Sequence, residues 1–185
     1  WTLDRLARTV MAPFRAAHPR LDLRIMTLNP RARARGEATL GLWFEVEPKE
    51  SEFAIKLGEV PYAVYCARDL DPEALGWVAF HDEDALRPSI AGVHKRLRSR
   101  GDPVRITSTD ANIMVSAVRE GIGKGLLPMC LAEGDERLRR VEQGEPEYVR
   151  TLHLHAHPDT VESLRIQATI RWLRENFKAV FQPPD

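Results

Sequence analysis

Along the first eighteen residues the apolar positions Leu3, Leu6, Ala7, Val10 and Phe14 recur at helical spacing, and the pattern stops at His18-Pro19, which predicts one amphipathic helix. Leu21, Leu23 and Ile25 then alternate with polar residues, with Thr27 continuing the alternation, and predict a strand. Pro30 to Gly36 reads as a short helical stretch. The unbroken apolar run Leu40-Gly-Leu-Trp-Phe44 suits a strand buried on both faces, as in a parallel sheet flanked by helices.

A polar segment from Glu45 to Glu52 leads into a long extended stretch, Phe53 to Ala67, interrupted by Gly58 and Pro61. Its second half, Tyr62 to Ala67, is the best candidate for a strand of a second sheet. Trp77 to Phe80, Val104 to Thr107 and Gly125 to Pro128 predict further strands. Helices are expected at about Ser89 to Arg100 and Asp110 to Glu120, the latter with Ala111, Met114, Val115 and Val118 on one face. Glu147 to Ala156 is a second long extended stretch. The closing helix, from about Thr160 to Phe177, carries Leu164, Ala168 and Trp172 on one side and Ile166, Ile170, Leu173 and Phe177 on another, so burial all round is expected. Two long extended stretches around a middle α/β section describe a chain that leaves one lobe, builds a second and returns.

Composition narrows what such a protein does. The 185 residues include 27 basic and 27 acidic side chains, and 43% are hydrophobic, which excludes a disordered chain. The basic residues are arginines apart from Lys49, Lys56, Lys95, Lys124 and Lys178, yet the acids cancel them. A sequence-independent grip on nucleic acid needs excess positive charge, so these residues make a poor DNA-binding surface. No apolar run is long enough to cross a bilayer, and no signal peptide is visible. Trp1 is not a natural start, so a cleaved signal or a deleted domain is expected ahead of it. Cys66 and Cys130 sit in apolar surroundings and are expected to be buried free thiols.

The motifs that suggest chemistry have structural explanations. Gly121-Ile-Gly-Lys-Gly125 looks like a phosphate-binding loop, but its glycines close a helix and precede a strand, the reverse of a dinucleotide fingerprint, and position 126 is not glycine. A helix C-cap followed by close helix-to-strand packing accounts for it better. His153, His155 and His157 alternate and would share one face of a strand. Neighbouring same-face positions splay apart, so no metal site is expected there. His81-Asp-Glu-Asp84 reads as a solvated turn. Arg31, Arg33 and Arg35 form a small basic run, with 31 and 35 on one helical face, for which solvent exposure is expected. Neither a nucleophile elbow, nor a Cys paired with His, nor a pair of closely spaced carboxylates stands in a convincing context, so catalysis is not expected.

Taken in order, Pro13-Phe-Arg-Ala-Ala-His-Pro19, Leu21-Asp-Leu-Arg-Ile25, Gly36-Glu-Ala-Thr-Leu-Gly-Leu42, Lys56-Leu-Gly-Glu-Val-Pro-Tyr62, Ala117-Val-Arg-Glu-Gly-Ile-Gly-Lys-Gly-Leu-Leu-Pro128 and Arg150-Thr-Leu-His-Leu-His-Ala-His-Pro-Asp159 resemble the effector-binding domain of LysR-type transcriptional regulators over nearly the whole chain. Three features depart from that family. The chain opens on a helix where a strand usually comes first, Thr39 stands where Asp is common, and Lys124 stands where an apolar strand residue is usual.

The resemblance implies an α/β, two-lobed fold like that of the type 2 periplasmic binding proteins, with two crossover strands. Lobe I would comprise residues 1–60 and 152–185, and lobe II residues 61–151. The N-terminal winged helix-turn-helix would be absent. In the family the interlobe cleft receives the helix start at Ser108-Thr109, the helix start at Pro88-Ser89-Ile90, the turn Leu28-Asn29-Pro30 and the strand end Trp43-Phe44. The implied effector site is therefore Asn29, Trp43, Phe44, Pro88, Ser89, Ile90, Ser108 and Thr109, with an anion favoured by the free N–H groups and dipole at the helix start. The resemblance further implies a small-molecule effector, a homodimer or higher homo-oligomer, DNA contact only through the missing domain, a cytoplasmic location, and neither cofactor, metal nor membrane. A periplasmic solute-binding protein of the same fold is the alternative, and a small enzyme on the same scaffold a third reading.

Overall fold

A computed structural model describes residues 1–26, 39–45, 53–81, 92–93 and 101–184. In chain order the elements are α1 (Thr2–Thr9), α2 (Met11–Ala17), β1 (Leu40–Phe44), β2 (Phe53–Ala67), β3 (Trp77–Phe80), β4 (Val104–Ser108), α3 (Ala111–Arg119), β5 (Lys124–Pro128), α4 (Met129–Ala132), β6 (Leu138–Arg140), β7 (Tyr148–Ala156), α5 (Pro158–Val161) and α6 (Leu164–Phe181). Gly92 and Val93 are helical; the rest of the helix expected around them, the basic run and the helical stretch at 30–36 lie outside the described residues. The chain divides into a terminal unit, Thr2–Glu59 with Arg150–Phe181, and a middle unit, Val60–Val149 with Trp1 and Gln182–Asp185. β2 and β7 each run from one unit into the other.

In the terminal unit the single opening helix expected from periodicity is two helices. Val10, at φ −133° and ψ −4°, breaks it. Pro13 supplies the reason: in a continuous helix its ring would clash with the carbonyl of Thr9, and it has no N–H to donate there. Restarting at Met11 puts Pro13 in the first turn, where no N–H is required. α1 buries Leu6, and α2 buries Phe14, whose ring stacks on Trp172 of α6 with centroids 4.4 Å apart. The strand expected at 21–25 does not form. Arg15 instead donates to the carbonyls of His18 and Leu21, tying this segment back to α2, and Ile25 is exposed.

β1 pairs antiparallel with β7, Leu42 opposite Leu154 and Trp43 opposite His153, and β7 is hydrogen-bonded in turn to β2. The apolar run of β1 therefore belongs to an antiparallel pairing, and it is half-buried along its length. α6 buries Ile166, Ile170, Leu173, Phe177, Val180 and Phe181. It comes close enough to β2 that a Cβ on Gly58 would lie 2.3 Å from Cε1 of Phe177. The expected closing helix is also divided, because the N–H of Ser163 turns back to the carbonyl of Thr160 before α6 begins. Leu164, expected on a buried face, is the first residue of α6 and is 89% exposed.

The middle unit has a mixed sheet. β3 lies parallel to β4 and to β5, while the second half of β2 runs antiparallel to β5 and to β6. α3 packs Met114, Val115, Ala117 and Val118 into a core with Ala63, Tyr65, Val78 and Leu127. The glycine run after α3 is a Schellman cap: Gly121, at φ +75°, donates to the carbonyl of Val118, and Ile122 donates to that of Ala117. A Cβ on Gly125 would sit 2.9 Å from Val118, so this glycine is what lets helix and strand approach.

Lys124 is 8% exposed. Its ammonium donates to the carbonyl of Pro72 at 2.9 Å, lies 3.6 Å from Asp102 and sits 5.2 Å from the centre of the Trp77 ring. The indole N–H of Trp77 donates to the same carboxylate at 3.1 Å. A cation thus occupies an apolar strand position because three groups from distant segments receive it. Cys66 and Cys130 are buried free thiols, and burial pushes the Cys66 thiol up from its ordinary value. Among the described residues no helix is long and apolar enough to cross a membrane.

Candidate functional site

Of the eight residues expected at an effector site, Asn29, Pro88, Ser89 and Ile90 lie outside the described residues. The other four form two consecutive pairs, Ser108-Thr109 in the middle unit and Trp43-Phe44 in the terminal unit.

Ser108 ends β4, in register with Phe80 at the end of β3, and its carbonyl accepts the N–H of His81 at 2.9 Å. The carboxyl ends of two parallel strands are thereby tied together beside the start of α3. Asp110 is the N-cap of that helix: its Oδ1 accepts the Asn112 N–H at 2.8 Å, and its own N–H donates to the Ser108 hydroxyl at 3.0 Å. Ser108 and Asp110 therefore lock each other, while Thr109 between them is exposed. The helix dipole favours an anion here, and the carboxylate of Asp110 already meets part of that preference.

In the terminal unit, β1 ends at Phe44 and the chain turns at Glu45, which is not glycine yet has φ +56°. Left-handed backbone costs about 1–2 kcal/mol for such a residue. Hydrogen bonds to Thr151 and Arg150 help to hold it there. Its N–H donates to the carbonyl of Thr151 at 3.1 Å, and both carboxylate oxygens accept from Arg150, Oε1 from Nε at 3.2 Å and Oε2 from Nη2 at 3.1 Å. The Arg150 guanidinium also lies 4.5 Å from the centre of the Phe44 ring, and its side chain is only 10% exposed, against 29% for Glu45. Sequence reasoning singled out Phe44 but not Arg150 or Glu45. Arg150 opens a family-like run, but nothing local marks a partner 105 residues away.

His153 and His155 share a face of β7 opposite Trp43 and Gly41, with ring centroids 6.4 Å apart. His157 has left the strand: it is exposed and caps α5 by accepting the Asp159 N–H at its Nδ1. Among the described residues no three His, Cys, Asp or Glu side chains are placed to hold a metal ion. A groove of about 380 Å³ in the middle unit, lined by Tyr65, Glu133, Leu138, Arg140 and Gln143 among others, contains none of the expected site residues. There the Tyr65 hydroxyl donates to Glu133 at 3.0 Å. Burial, and then that carboxylate, push its pKa well above the ordinary tyrosine value, so it stays protonated.

No curated protein matches the sequence significantly. Solved structures do match. The effector domain of the transcriptional regulator AmpR of Pseudomonas aeruginosa is 23% identical, with 95% of this chain and 88% of that one aligned at a TM-score of 0.67. A reduced form of OxyR from N. meningitidis is 12% identical over 93% and 89% of the two chains, at 0.70. The bromide-bound regulatory domain of HypT from Salmonella typhimurium is 15% identical over 76% and 72%, at 0.57. The shared fold is the α/β, type 2 periplasmic-binding-protein-like fold. The family model for the LysR substrate binding domain matches residues 3–178, and the chain belongs to this family, that of the effector-binding domains of LysR-type transcriptional regulators.

Proposed function

We propose that this domain senses a small anionic molecule held between two lobes, lobe I of residues 1–60 and 152–185 and lobe II of residues 61–151, and passes binding on to a DNA-binding domain elsewhere in its protein. In this reading Ser108, Thr109, Ser89 and Asn29 donate hydrogen bonds, and Trp43, Phe44, Pro88 and Ile90 form apolar walls. The observation that carries it is the arrangement at Ser108. Parallel strands end there in register, an N-terminal helix turn begins, and the Thr109 side chain is exposed; in open α/β sheets, ligands bind outside the carboxyl ends of the strands. The anion bound in the HypT structure belongs to that protein but is of the class favoured here. The domain would work in the cytoplasm as a homodimer or higher homo-oligomer. Effector binding that favours one lobe or subunit arrangement would then change the spacing of the DNA-binding domains.

The test is a thermal-shift screen of small carboxylates and inorganic anions against wild type and the Ser108→Ala/Thr109→Val double variant. A compound that raises the wild-type midpoint is expected to lose most of that shift in the double variant, whose own midpoint stays within a few degrees of wild type. An unchanged shift in the double variant refutes the placement.

A further inference from the structure

The groups around Glu45 have the form of an occupied anion receptor. Arg150 is the buried member of the pair, oriented by the Phe44 ring, and presents a two-pronged donor edge to a carboxylate. That carboxylate comes from the more exposed member, and from a residue whose backbone is held in a conformation that non-glycine residues avoid. A structural ion pair gains nothing from strain in one partner. A displaceable one does, because releasing Glu45 relieves its backbone and offsets part of the lost pairing. The two-pronged edge of Arg150 matches the paired oxygens of a carboxylate, so a group that takes the place of Glu45 on it is best matched as a carboxylate.

We propose that Arg150 is an anchor for a carboxylate-bearing effector, and that Glu45 occupies the place of the effector's carboxylate until the effector arrives. The Phe44 face beside it would take the effector's apolar portion. This rests on the anion-sensing reading above and adds to it the receptor group and the internal competitor.

The probe is propionate, with propionamide as the uncharged isostere at matched ionic strength, titrated into ¹⁵N-labelled protein while the Arg150 Nε–H resonance is followed. Propionate is expected to move that resonance saturably, and propionamide is not. Glu45→Gln removes the competing charge and is expected to tighten propionate binding at least fivefold. Arg150→Lys, which loses the two-pronged edge, is expected to weaken it at least fivefold. Glu45→Gln keeps the proposal testable should the Arg150 variant fail to fold. Unchanged or weaker binding in Glu45→Gln overturns the inference, as does an equal response to propionamide. Propionate binding that moves Thr109 but leaves Arg150 untouched overturns this inference alone and leaves the sensing reading standing. Loss of the anion-induced thermal shift in neither Arg150→Lys nor Ser108→Ala/Thr109→Val overturns both.

Discussion

Replacing Lys124 with Met should cost less than removing the acid beside it, although Lys124 is the buried residue of the two. Its side chain is 10% exposed and that of Asp102 38%. Lys124→Met keeps the unbranched stem in contact with Trp77 and removes an ammonium whose desolvation costs several kcal/mol. The carbonyl of Pro72 loses a donor, worth about 1 kcal/mol, and Asp102 is left hydrated at the surface. The net change is expected to be within about 1 kcal/mol of zero. Asp102→Ala strands the ammonium on Pro72 and the Trp77 face, and takes away the acceptor of the indole N–H at 3.1 Å. Breaking a buried pair costs about 3–5 kcal/mol. Here the 3.6 Å separation and the exposure of Asp102 lower that figure, and about 2 kcal/mol is expected, a fall of about 4–8 °C in midpoint for a chain of this size. Urea and thermal unfolding of the two single variants and the double variant decide it. In the Lys124→Met background the Asp102→Ala penalty should shrink to about the value of the lost indole bond, about 1 kcal/mol. Strictly additive penalties, or a Lys124→Met cost exceeding that of Asp102→Ala, would refute the reasoning.

Gly58→Ala should be among the more damaging single changes in the terminal unit, because the new Cβ meets three atoms of the Phe177 ring at 2.3–2.7 Å; a loss of about 2–3 kcal/mol in urea unfolding is expected, and Phe177→Leu should recover part of it. Asp135 provides a pH prediction. Burial opposes its ionisation, but the backbone N–H of Arg137 and the guanidinium of Arg119 outweigh burial and hold the carboxyl below its ordinary 3.8. Its contribution is therefore fully present above the unfolded-state value and fades as pH falls through the lower folded-state value. Asp135→Asn should lower the unfolding midpoint at pH 7 and converge with wild type under strong acid, and an equal deficit at both pH values would contradict this.

The parts of the fold legible in the sequence are those written in local periodicity. β3, β4, β5 and α3 follow from short apolar runs and from the spacing of Ala111, Met114, Val115 and Val118, and the cap at Gly121 follows from a glycine placed after a helical pattern. The failures have one common cause, a nonlocal or sterically specific partner. Leu21 and Leu23 alternate as a strand would, yet Arg15 holds the Leu21 carbonyl in a different geometry. The apolar positions of the opening helix continue through Val10, but the absent N–H of Pro13 overrides them. Lys124 is an anomaly as a sequence letter and becomes intelligible only with Pro72 and Asp102 beside it. The candidate site shares this limit. Its hydroxyls and aromatic walls can be named from a family pattern, whereas the pairing of Glu45 with Arg150 is a product of the β1–β7 register.

That register bears on how such a sensor would respond. Both described pairs of expected site residues stand beside an acid of the domain itself: Asp110 caps α3 next to Ser108, and Glu45 chelates Arg150 next to Phe44. An effector anion at Arg150 in this reading does not enter a bare positive pocket, where it would gain the full attraction of the guanidinium. It exchanges with a carboxylate already there, and the free energy gained is the difference between two similar pairings, increased at Glu45 by the release of a left-handed backbone. Such an exchange gives modest affinity. It also changes the backbone beside a strand that crosses from one unit of the domain to the other, since Glu45 is hydrogen-bonded to Thr151 of β7. A ligand shifts a conformational equilibrium only by its differential affinity for the two states. An anchor that must release its own residue to accept a ligand builds that difference into the binding step, which a preformed empty site would not.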